Sequence, residues 1–146
     1  MPIAMPFTKL VVGDLALTEA FYRAMGLKLV SRNEGGEDEV YQQQCWLSAS
    51  GDMTSHVLIL SSFAKLPKPP RPIYPGEAWL VFTDIDVDAT CALAEANRGS
   101  VVRAGEDQPG HGVRAAIIAD PEGHHIELIG PMSGEYSPLV PAQSPA

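Results

Sequence analysis

A short β-prone run from Phe7 to Val12 opens the pattern, and Gly13-Asp14-Leu15 interrupts it. Leu17, Ala20, Phe21 and Ala24 then fall at i, i+3, i+4 and i+7, which is one face of a helix. Gly26 stands where a left-handed glycine commonly ends such a helix. Lys28–Ser31, Val40–Ala49 and His56–Ser61 read as three strands, with turns predicted at Asn33-Glu34-Gly35-Gly36 and at Gly51-Asp52. The plan then returns. Asp86 lies 72 residues beyond Asp14, and Ala89, Ala92, Leu93 and Ala96 repeat the first helix's apolar positions at the same offset. Strands are predicted again over Ser100–Arg103, Val113–Ala119 and His124–Ile129, separated by Gly110-His111-Gly112 and by Asp120-Pro121-Glu122-Gly123.

Each half therefore reads as βαβββ, and an internal duplication is the simplest origin of the equal offset. The fold class is α+β, with modules over 5–62 and 77–131. Between them lies a linker, 63–76, whose Leu66-Pro67-Lys68-Pro69-Pro70-Arg71-Pro72 cannot supply the donors a sheet needs. The Pro-, Ser- and Gly-rich stretch 132–146 reads as a flexible tail. Within the first strand, alternation places Phe7, Lys9 and Val11 on one face, and Leu10 and Val12 on the face beneath the helix. In the last strand His125 and Glu127 share a face, while Ile126 and Leu128 point to the core.

Composition narrows the function. The 146 residues carry a formal net charge of −8 with no Lys/Arg cluster, which argues against nucleic acid and anionic membranes as partners. MPIAMPFTK lacks a basic region followed by an apolar run, and no stretch reaches the roughly 20 apolar residues of a membrane span. Cys45 and Cys91 lie far apart and show no zinc-site spacing, so a reducing, cytoplasmic setting is expected and both read as buried small side chains.

Phe7-Thr8-Lys9-Leu10-Val11-Val12, Gly13-Asp14-Leu15 and Ala20-Phe21-Tyr22 resemble the opening of the vicinal oxygen chelate superfamily, and Ala119-Asp120-Pro121-Glu122-Gly123-His124-His125-Ile126-Glu127-Leu128 resembles its closing hairpin. That superfamily includes glyoxalases, bleomycin resistance proteins and extradiol dioxygenases. The resemblance implies two tandem βαβββ modules whose strands form a curved mixed sheet around a cleft, with the helices on the outer face. It also implies a homodimer. In the family's metal-dependent members four strand positions supply His and carboxylate ligands to one divalent ion. Carried over, those positions are Phe7, Trp79 (Leu80 if the register slips by one), Ile59 and Glu127, so three of the four are apolar here and the usual metal site is expected to be absent.

The candidate ligand-binding residues are accordingly Phe7, Lys9, Ile59, Trp79, His125 and Glu127, an apolar and aromatic set with a few polar anchors. Glu127 reads either as a carboxylate satisfied by Lys9 or water, or as a ligand anchor or general base. Lys9 reads either as snorkelling to the rim or as holding an anion. His56 and His124 have the parity opposite to the cleft residues, His111 sits in an exposed turn, and Tyr41 and Trp46 have no direction fixed by the pattern. The leading expectation is a metal-independent, cofactor-free protein that binds an aromatic small molecule. Its rivals are a divalent-metal lyase, isomerase or dioxygenase using Glu127 with His56 or His125, and a metal-free acid-base enzyme with Glu127 as base.

Overall fold

A computed structural model describes residues 4–36, 41–63 and 78–133. The chain divides into two compact units, 1–72 and 73–146, and among the described residues each has one helix and a four-stranded mixed sheet. In the first, β1 (Phe7–Val12) runs into α1 (Leu15–Ala24), followed by β2 (Lys28–Gly35), β3 (Gln42–Ser48) and β4 (Val57–Ser62), with sheet order β1-β4-β3-β2. In the second, β5 (Leu80–Phe82) leads to α2 (Val87–Ala96), then β6 (Ser100–Gln108), β7 (Val113–Ala119) and β8 (His125–Gly130), in order β5-β8-β7-β6. The first and last strands of each unit pair in parallel and the others antiparallel, as the βαβββ reading requires. Residues 64–77 and 134–146, which hold nearly all of the expected linker and tail, lie outside the described residues. Among those described, no helix is long and apolar enough to cross a membrane.

The duplication is visible in the caps. The Asp14 side chain accepts from the Leu17 amide and that of Asp86 from Ala89, each at 3.0 Å, satisfying an amide the first turn leaves unpaired. Thr18 and Thr90 then hydrogen-bond back to the Asp14 and Asp86 carbonyls. Both helices end with the same pair of reversed bonds. Gly26 and Leu27 donate to Arg23 and Tyr22 in the first, and Arg98 and Gly99 donate to Glu95 and Ala94 in the second. The left-handed residue is the expected Gly26 (φ 115°) in one case and Arg98 (φ 70°) in the other.

The helix faces differ from the sequence reading. α1 buries Thr18, Phe21 and Tyr22, with the Phe21 and Tyr22 rings edge to face at 5.2 Å, while Ala20 is exposed and Leu17 and Ala24 are only half-buried. α2 buries Val87, Thr90, Cys91 and Ala94, and all four expected core positions, Ala89, Ala92, Leu93 and Ala96, are exposed. An alanine-rich helix offers more than one stripe at core spacing; the sheet selects the one carrying Val87 and Cys91, which bury more apolar area. The strands also run further than expected. β2 continues through Asn33, Glu34 and Gly35, so the first hairpin does not turn there, and β6 extends to Gln108.

Under α1, Glu19 takes hydrogen bonds from Arg32 and Arg23. Burial pulls the Glu19 carboxyl upward, but the bonds from Arg32 and Cys45 outweigh it and the net shift is down. The Cys45 thiol is pushed up to about 12, first by burial and then by Glu19, and burial likewise raises Cys91. Both are buried free thiols, as expected, with no thiolate character at neutral pH.

Candidate functional site

Each sheet has one face covered by its helix and one face free of it, and strand parity decides which side chains reach the second. In β1, Leu10 and Val12 are buried toward α1, whereas Phe7 and Val11 are exposed on the other side. Parallel pairing sets Lys9 beside Ile59, and antiparallel pairing sets Ile59 beside Trp46, so these three form one row across the helix-free face. Trp46, whose direction the sequence left open, is thereby fixed. Its ring meets Phe7 at 5.3 Å between centroids.

Around this row runs a hydrogen-bond network. Gln42 Oε1 accepts from Lys9 Nζ at 2.8 Å, from Gln44 Nε2 at 2.6 Å and from Ser61 Oγ at 3.0 Å. Gln44 Oε1 in turn accepts the Trp46 indole N–H at 3.0 Å. Lys9 is thus held by an amide of its own module, and Gln42, Gln44 and Ser61 are site residues the sequence reading missed. Their signal was parity: Gln42 and Gln44 alternate with Trp46, and Ser61 with Ile59. Tyr41 is engaged elsewhere, donating to the Glu34 carboxylate.

The second module presents different chemistry. Trp79, just before β5, lays its ring on His125 at 4.8 Å and 39° between planes, while Leu80 pairs with the core residue Ile126, so the register does not slip. Glu127 is half-buried in a row of its own, with Val81 on one neighbouring strand and Ile117 on the other. Glu127 makes no hydrogen bond or ion pair among the described residues. His125 Nδ1 is buried, also without a hydrogen-bond partner there.

What aims His125 and Glu127 is the hairpin before them. Asp120 Oδ1 accepts from the Glu122 and His124 amides at 2.8 and 3.0 Å, and its Oδ2 meets His124 Nδ1 at 2.7 Å. Gly123, at φ 90°, closes the turn onto the Asp120 carbonyl at 3.0 Å. His124 is spent on Asp120. Of the remaining histidines, His56 bonds Thr8 Oγ1 at 2.8 Å, on the face opposite Ile59 as its parity predicts, and His111 lies exposed in its glycine-flanked turn.

The donor set does not suit a resident divalent ion. Phe7 and Ile59 offer hydrocarbon, Trp79 an indole engaged with His125, and Glu127 a single carboxylate; among the described residues no group of three or more His, Cys, Asp or Glu side chains is placed to hold a metal. Structural and catalytic sites for such ions use three or more protein donors.

Comparison with known proteins agrees with the architecture. The family described as the glyoxalase/bleomycin resistance protein/dioxygenase superfamily matches residues 4–128. No curated protein matches the chain. Among solved structures, a glyoxalase family protein from Bacillus cereus is similar over 91% of this chain and 97% of its own, with TM-score 0.73 at 20% identity. The trypanothione-dependent glyoxalase I of Leishmania major is similar over 88% and 87%, with TM-score 0.69 at 24% identity. A glyoxalase family protein from Enterococcus faecalis is similar over 86% and 96%, with TM-score 0.66 at 16% identity. At these identities the likeness speaks to the fold.

Proposed function

The chain belongs to the glyoxalase/bleomycin resistance protein/dioxygenase superfamily, and from that premise we propose that it binds a flat, partly apolar small molecule on the helix-free face of its second module without using a metal ion. The observation that carries this reading is the Trp79–His125 ring pair beside a half-buried carboxylate that nothing in the described protein satisfies. Stacking and desolvation supply most of the affinity, and Glu127 sets the orientation by accepting a hydrogen bond.

The test is a fluorescence titration with a panel of planar aromatic natural products, run on Trp46→Phe, so that Trp79 is the only indole reporting. Saturable quenching by at least one member is expected. Trp79→Leu, followed by calorimetry, should weaken the same compound by about tenfold, the worth of roughly 1.5 kcal/mol of stacking. A Trp79 signal silent across the panel contradicts the reading. That Glu127 has no partner among the described residues also favours a second reading, metal-free proton abstraction with Glu127 as base. In that case Glu127→Gln removes turnover and leaves binding of an uncharged substrate in place.

A further inference from the structure

Resting on that reading of the site, we propose that the ligand of the second module's face is a cation: a planar aromatic amine whose protonated nitrogen meets Glu127 while its ring lies on Trp79. Arg114 is shared between Asp88 at 3.0 Å and Asp107 at 3.1 Å. Asp107 also takes the Ser133 amide, and Asp120 holds His124. Each of these acids faces a donor. Among the described residues none donates to Glu127, although it is half-buried and its strand neighbours across the face, Val81 and Ile117, are aliphatic.

A half-buried carboxylate flanked by hydrocarbon keeps only part of its hydration, and a positively charged partner makes up the most of what is lost. Trp79 adds a π face, which attracts a cation more strongly than a neutral group of the same shape. The protein's own cation on this row is Arg103, which pairs with Ile117 across from Glu127. Arg103 sits on the far side of β7 and is engaged by Glu106 at 3.8 Å. The net charge of −8 draws cations toward the protein as a whole. An anionic ligand meets the opposite of every one of these terms.

Calorimetry with three planar probes of one ring system separates the charge from the site: 9-aminoacridine, cationic at neutral pH; acridine, neutral; and acridine-9-carboxylate, anionic. The native protein should bind 9-aminoacridine about tenfold or more tighter than acridine and acridine-9-carboxylate weakest of all. In Glu127→Gln, with an unchanged near-ultraviolet circular dichroism spectrum as the check on folding, the cation's advantage should collapse while acridine binds as before. Equal affinity for 9-aminoacridine and acridine, or a preference that survives in Glu127→Gln, overturns the charge inference and leaves the binding face standing. Failure of all three probes to bind overturns both.

Discussion

Replacing Gly130 with alanine should destabilise the protein by about 3 kcal/mol, because overpacking against main chain leaves no side-chain rotation to absorb the clash. A Cβ at this position would lie 2.3 Å from the Ile85 carbonyl oxygen and 3.1 Å from Val87 Cγ2. Ile85 precedes the cap of α2, and Gly130 ends β8, so the helix start and the strand carrying His125 and Glu127 touch backbone to backbone. The first module solves the same corner differently. There the last residue of β4 is Ser62, whose hydroxyl reaches the Gly13 carbonyl at 3.4 Å. Ser62→Ala should therefore change stability by less than about 0.5 kcal/mol. Urea midpoints of the two variants make the comparison, and a Gly130→Ala midpoint equal to the parent's would refute the packing account.

The second large effect is expected at Asp120. Its side chain is fully buried, and it accepts two backbone amides besides meeting His124. Asp120→Ala removes the acceptor of both amide bonds and the partner of the buried His124 ring and should cost about 3 to 5 kcal/mol, whereas Asp120→Asn keeps an acceptor for the amides and should cost roughly half as much. Since this hairpin aims β8, partial loss of it should also lower affinity for any ligand held at Trp79 and Glu127. Equal urea midpoints for Asp120→Ala and the parent would show that the turn holds without its carboxylate.

Much of this was legible before the structure, and the reasons are local. The Asp120-Pro121-Glu122-Gly123 turn and the Gly26 cap are written in residues whose backbone preferences are narrow. Strand parity placed Phe7 and Lys9 opposite Leu10 and Val12, and His125 with Glu127, because a period of two leaves only two choices. Other features depend on partners distant in sequence. Trp46 acquires a direction only through its pairing with Ile59, and Gln42 becomes an acceptor for three groups only when β1, β3 and β4 are side by side. The helix faces were misread because alanine counts as apolar yet buries little, while the buried threonines, Thr18 and Thr90, count as polar. Gly35 still belongs to β2 and pairs with Gln42, and only Gly36, at φ 87°, leaves the strand, so the turn starts at the last residue of the Asn33-Glu34-Gly35-Gly36 run.

The central claim is that ligand binding on the second module's face runs through Trp79 and Glu127 with no metal ion. The most direct measurement is the indole N–H resonance of Trp79 in nitrogen-15-labelled protein stripped with chelator and titrated with 9-aminoacridine. A saturable shift of that resonance is expected with no divalent ion present. A Trp79 resonance that stays still, or that moves only after zinc, nickel, manganese or iron is supplied, would contradict it.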